Sequence, residues 1–310
     1  MVAVAWGAIV STSLVVWAET IWDTVAKRTL LPGPGLDVSI AYSAGIWEEI
    51  AKGLAVLLLY LVMRDEFDDV VDGIVYGAAV GLGFNFMESV TYMTHVYAIF
   101  SAQGAGQAFF AAASQWYSRQ VLGLFFSHAT YTALVGAGIG LARQLRRRRH
   151  RLLSILSGFL AAIAAHFAWD AWVAYFPISN SPFALVEMHL RTLFMQGPFT
   201  SAVLVLLAMG LQVEGNALRR QLTAEAATNE GAVLPQEIPI LVRPWQRFRA
   251  RLRAFNQEGF AGYGRLHRLQ RAQLELAMER WHRERNEIDE PLEAEEELRR
   301  RVLRLRQAAA

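Results

Sequence analysis

Six stretches of apolar residues, each long enough to cross the hydrocarbon core of a bilayer, constrain the fold of this 310-residue chain. A spanning helix needs about 20 apolar residues at a rise of about 1.5 Å per residue. Inside lipid, a helix is favoured because it satisfies its backbone hydrogen bonds within the segment. The sequence therefore predicts an all-α, polytopic transmembrane helix bundle of about six spans, at residues 2–18, 40–63, 73–96, 119–141, 152–176 and 193–212.

The charged residues are distributed unevenly along the chain. They make up 19% of all residues, and 32 of these 58 side chains fall in residues 215–310. We therefore predict two domains, a transmembrane bundle over residues 1–214 and a charged cytoplasmic linker with a helical tail over residues 215–310. Within the tail, residues 243–255 interleave aromatic side chains with arginines. This pattern is typical of a basic amphipathic helix at an anionic lipid surface.

Arginines between the fourth and fifth predicted spans indicate the orientation of the bundle. Residues 143–151 contain six arginines, and an excess of Lys and Arg beside spans marks cytoplasmic loops. With six spans, both termini are then cytoplasmic. A run of arginines can also bind nucleic acid, but its position between two spans favours the topological role, so we expect no nucleic-acid partner.

A few ionisable residues lie within predicted spans two to five, where each costs several kcal/mol unless it has a function or a partner. Counted from the predicted outer ends of the spans, Glu48, Glu88, His128 and His166 lie about eight to ten residues deep, or about 12–15 Å below the surface. Four spans that alternate in direction thus place these side chains at one level. The common depth predicts that they meet in one buried cluster.

Two imidazoles and one carboxylate from different helices match the ligand set of a catalytic zinc site with an open position. We predict that Glu88, His128 and His166 bind zinc and that Glu48 and Glu49 are catalytic, one of them as the general base. The sequence leaves open which glutamate this is. Because the chain contains no cysteine, any metal must have nitrogen and oxygen ligands. A metal-free mechanism, in which a glutamate and a histidine activate water, is also left open.

Two further charged residues are placed to support this cluster. Lys52 is four residues after Glu48 and three after Glu49, within reach of either carboxylate as an ion-pair partner. Asp170 follows His166 by four residues and is placed to orient its ring. The same spacings also allow simpler interpretations, in which Lys52 merely neutralises a buried glutamate and Asp170 and His166 form a self-contained pair.

Four short motifs occur in order on predicted spans two to five: Glu48-Glu49-Ile-Ala-Lys52, Phe84-Asn-Phe-Met-Glu88-Ser89, Phe126-Ser-His128 and His166-Phe-Ala-Trp-Asp170. Over residues 40–175 the ordered set resembles the PrsW family of bacterial intramembrane proteases, relatives of the CAAX prenyl endopeptidases. Ser89 stands where the family pattern leads us to expect Asn.

The resemblance implies a membrane-embedded peptidase, grouped with the metallopeptidases, in the bacterial cytoplasmic membrane. It implies that the glutamates and histidines named above form the site and that Phe84 supports them. It also implies a single-pass, membrane-anchored protein substrate, such as an anti-sigma factor. The oligomeric state is not predicted.

Two other functional classes compete with the protease. Buried carboxylates and histidines also form proton relays, so the alternative is a proton- or ion-coupled transporter. Many transporters contain inverted repeats, and none is visible in the sequence. In a third hypothesis the bundle is a receptor or scaffold whose function lies in the charged tail.

Overall fold

The computed structural model of the chain describes residues 1–29, 34–63, 67–176, 183–228, 230–284 and 292–308. Every regular element in these ranges is helical, which confirms the all-α prediction. The chain divides into two compact units, Met1–Gly210 and Leu211–Ala310.

Seven helices begin in the first unit, and their order follows the apolar stretches of the sequence. They are α1 (Val2–Thr29, π-helical over Trp6–Ser11), α2 (Pro34–Val62), α3 (Val70–Phe100), α4 (Ala105–Tyr117), α5 (His128–Gln144), α6 (Arg148–Tyr175) and α7 (Ala184–Ala226). The start of α3 is fixed by Asp69, whose carboxylate accepts hydrogen bonds from the backbone N–H groups of Val71 (2.7 Å) and Asp72 (3.3 Å).

Four helical segments in the described residues are long and apolar enough to cross a membrane: Val2–Thr29, Val70–Gln103, Arg148–Val173 and Val186–Ala226. They correspond to predicted spans one, three, five and six. Predicted span two lies in α2, which carries three charged side chains of the cluster, and predicted span four overlaps α5, which has 17 residues. These helices confirm that the protein is a multi-pass membrane protein. By length and composition, however, four of the six predicted spans qualify as membrane-spanning helices among the described residues.

The predicted start of the fourth span, at residue 119, is wrong. Residues 118–122 form a π-helical turn, and α5 begins only at His128. Polar contacts explain the difference: the Asn85 Nδ2 amide donates to the Arg119 carbonyl (3.3 Å), and the Gln120 Nε2 amide donates to Ser89 Oγ (2.7 Å). These bonds tie the turn to α3, so His128 is the first residue of its helix and does not lie about nine residues inside it.

The core of the first unit lies where α2, α3, α5 and α6 meet. Val56, Val80, Val135 and Ala162, one from each of these helices, are fully buried in a single apolar cluster. The same four helices carry the predicted cluster of ionisable residues, so the core positions the site.

Glycines allow α3 and α5 to approach at backbone distance. Gly73, Gly77 and Gly81 recur every four residues, which places them on one face of α3. A Cβ atom at Gly77 would overlap the carbonyl oxygen of Thr132, and one at Gly81 would overlap that of His128. Any larger residue would therefore separate the helices that carry Glu88 and His128. The close approach of these helices agrees with the packing role of small residues in membrane bundles.

The second unit combines a small apolar core with two long helices. α8 (Pro244–Glu284) is interrupted at Gly259, whose φ of 65° is unfavourable for residues with a Cβ atom, and α9 follows at Leu292–Gln307. Leu276 of α8 and Val302 of α9 are buried in one cluster with Ala232. Because Gln273 Nε2 also donates to the Ala232 carbonyl (3.0 Å), this part of the predicted linker is packed.

Ion pairs add to this core. The Glu225 carboxylate accepts hydrogen bonds from Arg280 Nη1 (2.5 Å) and from Arg299 Nε (2.7 Å). The hydrogen bonds that Arg299 donates to the Glu225 carboxylate raise the pKa of its guanidinium. Ion pairs thus connect α7, α8 and α9 within this unit.

We expect Gly77→Ala to destabilise the protein by about 1–3 kcal/mol, because the new methyl group overpacks the contact between α3 and α5. The measurement is the free energy of unfolding in detergent, followed by circular dichroism against denaturant. Gly106→Ala is the matched control, since nothing lies within 4 Å of a Cβ atom at Gly106, and it should be neutral or slightly stabilising. Equal stability of the two variants would contradict the close backbone contact.

Candidate active site

Four helices of the first unit supply one buried cluster of ionisable side chains. α2 contributes Glu48, Glu49 and Lys52, while α3, α5 and α6 contribute Glu88, His128 and His166. Ligand atoms of Glu48, Glu49, His128 and His166 all lie within 4.8 Å of one another. The buried cluster predicted from the sequence is therefore present.

Glu49 is the most deeply buried carboxylate of the cluster, and three polar side chains contact it. Its side chain is 0% exposed, and its Oε1 atom lies 2.6 Å from Lys52 Nζ and 2.9 Å from His166 Nδ1. Thr132 Oγ1 donates to Glu49 Oε2 at 3.5 Å. Because an ion pair and two hydrogen-bond donors converge on it, Glu49 is suited to fix the geometry of its neighbours.

The Lys52 ammonium group connects α2 to α5. It donates to Glu48 Oε2 at 3.1 Å, contacts Glu49 as described, and lies 2.9 Å from His128 Nδ1. Its Nζ atom also lies 4.3 Å from the ring centroid of Phe84 on α3, a distance typical of cation–π contacts. Lys52 thus contacts two glutamates and a histidine of the cluster, and Phe84 packs against the Lys52 ammonium group.

Each imidazole is hydrogen-bonded to a glutamate through one ring nitrogen and faces Glu48 with the other. His128 Nε2 lies 2.7 Å from Glu88 Oε2, and His166 Nδ1 lies 2.9 Å from Glu49 Oε1. The remaining nitrogens, His128 Nδ1 and His166 Nε2, lie 3.5 Å and 3.8 Å from the same atom, Glu48 Oε2. Glu49 and Glu88 therefore orient the two rings, and Glu48 occupies the point on which both rings converge.

Asp170 lies where the sequence placed it, one helical turn beyond His166. Its Oδ2 atom is 3.4 Å from His166 Nε2, and its side chain is 27% exposed. Asp170 is thus the more accessible carboxylate beside this ring, whereas Glu49 contacts the opposite nitrogen from the buried side.

Arg119 is a site residue that the sequence analysis missed. Its Nη2 atom forms an ion pair with Glu88 Oε2, its Nε atom donates to Ser89 Oγ (3.3 Å), and its guanidinium lies 4.6 Å from the ring centroid of Tyr92. A signal was available, because Arg119 is the only Lys, Arg, Asp or Glu between Glu88 and Arg143. It was treated as the polar end of a span, although its side chain turns inward to the cluster.

Glu19 of α1 was also missed, because the first span was predicted to end at residue 18. It is partly buried and lies close enough to Glu48, Glu88 and His166 to interact with them electrostatically. The first helix thus adds another acidic group near the cluster.

The charge balance of the site favours a bound cation or protonated imidazoles. Four carboxylates, those of Glu48, Glu49, Glu88 and Asp170, face two permanently charged cations, Lys52 and Arg119. This leaves two negative charges in excess in a buried site, where unpaired charge is costly. The oxygen and imidazole donors fit zinc chemically, and the most compact donor set includes Glu48 and Glu49 rather than Glu88.

Fold and site together define a class: a multi-pass membrane protein with a buried glutamate–histidine centre of the kind that metallohydrolases use. Comparison with protein families identifies the class more closely. Residues 1–208 match the model of the PrsW family of intramembrane metalloproteases. The chain therefore belongs to this family, as its motifs indicated.

One relative supports the same assignment. Over 147 residues, 47% of this chain, the sequence is 31% identical to "Protease PrsW" of Geobacillus kaustophilus (strain HTA426). The match spans 56%, about half, of that relative's length. No solved structure matches the chain.

We expect Lys52→Met to destabilise the protein by about 3–5 kcal/mol, because it leaves Glu48 and Glu49 buried without their ammonium partner. The measurement is the free energy of unfolding in detergent. Adding Glu49→Gln should recover part of the loss, since the double variant has one fewer uncompensated charge.

Lys27→Met is the matched control, because Lys27 forms only an exposed pair with Asp23 at 3.7 Å and such pairs contribute about 0–1 kcal/mol. If Lys52→Met were as mild as Lys27→Met, the central role of the Lys52 ammonium in the cluster would be refuted.

Proposed function

We propose that the protein is an intramembrane endopeptidase that hydrolyses a peptide bond of a single-pass, membrane-anchored protein. The observation that carries the proposal is the convergence of His128 Nδ1 and His166 Nε2 on Glu48 Oε2. Water placed between these three atoms would contact a proton acceptor and two imidazoles. Family membership supports this reaction class.

Glu48 is the better candidate for the general base of the two adjacent glutamates. Glu49 Oε1 is occupied by Lys52 and His166, and the Glu49 side chain is 0% exposed, whereas that of Glu48 is 7% exposed. A base must be free to accept a proton from water. We therefore assign the proton-accepting role to Glu48, and to Glu49 the role of orienting His166.

The same three atoms suit two ways of activating water. Without a metal, Glu48 takes the proton while the imidazoles orient the water and the substrate carbonyl. With zinc, Glu48, His128 and His166 are the groups that would hold the ion, together with Glu88 if the set predicted from the sequence is correct. Bound zinc supplies a Lewis acid that polarises the carbonyl and lowers the pKa of water.

Further proposals follow from the sequence and the family. We place the protein in the bacterial cytoplasmic membrane with both termini in the cytoplasm, because the arginines of residues 143–151 lie at the junction of α5 and α6. We infer that the substrate is a membrane-anchored regulator of the anti-sigma-factor type, because of the family resemblance. A proton- or ion-coupled transporter remains the alternative, and it predicts no cleavage of any substrate.

We expect Glu48→Gln and His128→Ala each to lower kcat by about 10²–10⁴-fold, because they remove a group that contacts the reacting water. Purified variants are compared for cleavage of a membrane-anchored reporter substrate in proteoliposomes. Glu187→Gln is the matched control, because Glu187 pairs with Arg191 outside the cluster, and it should cleave at the wild-type rate. Full activity of both cluster variants would refute the proposed mechanism.

Metal analysis of the same preparations distinguishes the two mechanisms. Stoichiometric zinc in the wild type that is lost in His166→Ala supports the metal site. Retention of zinc in Glu88→Gln but not in Glu48→Gln would assign the carboxylate ligand to Glu48. Activity that persists in metal-free wild type supports the mechanism in which Glu48 acts without a metal.

A further inference from the structure

Four large apolar side chains are exposed along one short segment of the second unit. Among the described residues after Ala226, the large apolar side chains that are strongly exposed are those of Trp245 (65%), Phe248 (46%), Leu252 (45%) and Phe260 (85%). Single exposed apolar residues are common, whereas large contiguous apolar patches are typical of interaction surfaces.

Three of these side chains form one face of α8. Trp245, Phe248 and Leu252 follow a spacing of three and four residues, which aligns them on a helix, and the rings of Trp245 and Phe248 stack with centroids 5.5 Å apart. Arg249 and Arg253 are also exposed, one residue beyond Phe248 and Leu252. We call this set, Trp245, Phe248, Arg249, Leu252 and Arg253, the aromatic–arginine face.

Contacts within the second unit fix the direction in which this face points. Arg251 Nε donates to Gln270 Oε1 at 2.7 Å, and Arg247 Nη1 donates to the Leu241 carbonyl. The break at Gly259 lets the segment before it pack against the remainder of α8. Because the opposite side of the helix is engaged in these contacts, the aromatic–arginine face stays exposed.

The charge of the segment identifies the partner. Residues 243–257 contain five arginines and no Asp or Glu, so the face is complementary to an anionic surface and not to a basic protein. Aromatic rings beside arginines suit the boundary between headgroups and acyl chains. Residues 227–243 alone separate this helix from Val186–Ala226, which is long and apolar enough to span the membrane. The chain is therefore tethered within reach of lipid.

We propose that the aromatic–arginine face docks on the anionic headgroup region of the membrane in which the protein resides. Each arginine near an anionic surface adds to the attraction, which salt weakens. Docking of this kind holds the second unit at the bilayer and makes its position depend on the content of anionic lipid.

The absence of cysteine allows a direct test with single-cysteine variants of the full chain. Leu252→Cys carries a nitroxide label on the face, and Glu296→Cys, on the exposed side of α9, carries the control label. Both proteins are reconstituted in phosphatidylcholine vesicles with or without phosphatidylglycerol. We expect the label at residue 252 to become accessible to oxygen and protected from a water-soluble nickel chelate only when phosphatidylglycerol is present, and the label at residue 296 to remain in water.

Arg249→Gln/Arg253→Gln in the Leu252→Cys background should abolish this protection, as should high salt. A residue-252 label that stays in water in both lipid mixtures overturns the proposal. Protection that is independent of phosphatidylglycerol and accompanied by spin–spin broadening also overturns it, because a second copy of the chain would then cover the face.

A separate observation concerns Tyr131 of α5, three residues after His128. Its ring stacks on His166, with centroids 5.0 Å apart and planes 24° apart, and meets His128 edge-on at 5.8 Å. The residue is 1% exposed, and its hydroxyl oxygen has no hydrogen-bond partner among the described residues. Tyr131 thus packs against both imidazoles and carries a buried hydroxyl that has no partner among the described residues.

Other donors near the site are already engaged. Lys52 contacts Glu48, Glu49 and His128, and Arg119 contacts Glu88. A buried hydroxyl without a partner is costly, and such groups occur where function requires them. Phenylalanine would fill the same space without that cost, so the retained hydroxyl points to a ligand that binds there.

Resting on the proposed peptidase function, we infer that the Tyr131 hydroxyl donates a hydrogen bond to the oxyanion of the tetrahedral intermediate. When water adds to the carbonyl carbon, the π electrons of the C=O bond move to oxygen, and the water proton passes to the base. The Tyr131 O–H then stabilises the negative charge without transferring its proton. The C=O bond re-forms as the C–N bond breaks, and the amine leaves with the proton held by the base.

We expect Tyr131→Phe to lower kcat by about 10²–10³-fold, as for loss of one oxyanion donor, with KM and thermal stability maintained. Tyr60→Phe is the matched control, because Tyr60 packs against Phe67 in the apolar core, and it should retain kcat. A loss of kcat that is matched by a lowered Tm would overturn the inference in favour of a packing role.

The assay also separates this inference from the function on which it rests. If Tyr131→Phe cleaves at the wild-type rate while Glu48→Gln is inactive, only the role of Tyr131 is refuted. If both variants cleave at the wild-type rate, the proposed mechanism fails together with the role of Tyr131.

Discussion

The buried ammonium of Lys52 holds together side chains from two helices of the site, α2 and α5. It lies within 3.1 Å of Glu48, Glu49 and His128 Nδ1, so it neutralises two adjacent carboxylates and connects α2 to α5. Two glutamates in succession inside a membrane bundle would otherwise be costly. Because Lys52 compensates Glu49 most closely, Glu48 remains the carboxylate that faces both imidazoles, and the division of roles within the site depends on this single ion pair.

Backbone packing determines whether the imidazoles reach that carboxylate. The glycines at 73, 77 and 81 let α3 and α5 touch through their main chains, which brings Glu88 within 2.7 Å of His128 Nε2. The turn before α5 completes the arrangement, since it directs Arg119 onto Glu88. The site therefore depends on the close contact between α3 and α5 and on the polar turn that precedes α5.

The charged and apolar side chains are arranged differently in the two units of the chain. In the first, charged side chains from four helices meet in one buried cluster. In the second, charged side chains of α7, α8 and α9 form ion pairs with one another, and the exposed apolar side chains lie on one short, arginine-rich segment. The proposed hydrolysis inside a bilayer requires the first arrangement, because water and charge must be admitted at one place only. The second arrangement suits a region that meets both water and the lipid surface.

The sequence by itself determined the fold class and most members of the site. Apolar stretches of spanning length require helices, and a charged residue within them is rare enough to be noticed, so Glu48, Glu88, His128 and His166 could be found without a structure. The start of α5 could not be predicted from the sequence, because an arginine at the end of an apolar stretch gives the same pattern whether its side chain faces water or contacts Glu88. Only the tertiary structure decided which atoms face each other: that each imidazole binds one glutamate, that both face Glu48, and that Arg119 belongs to the site. Those contacts depend on the rotation of each helix about its axis. Packing against neighbouring helices determines this rotation, and the hydropathy of the sequence does not predict it.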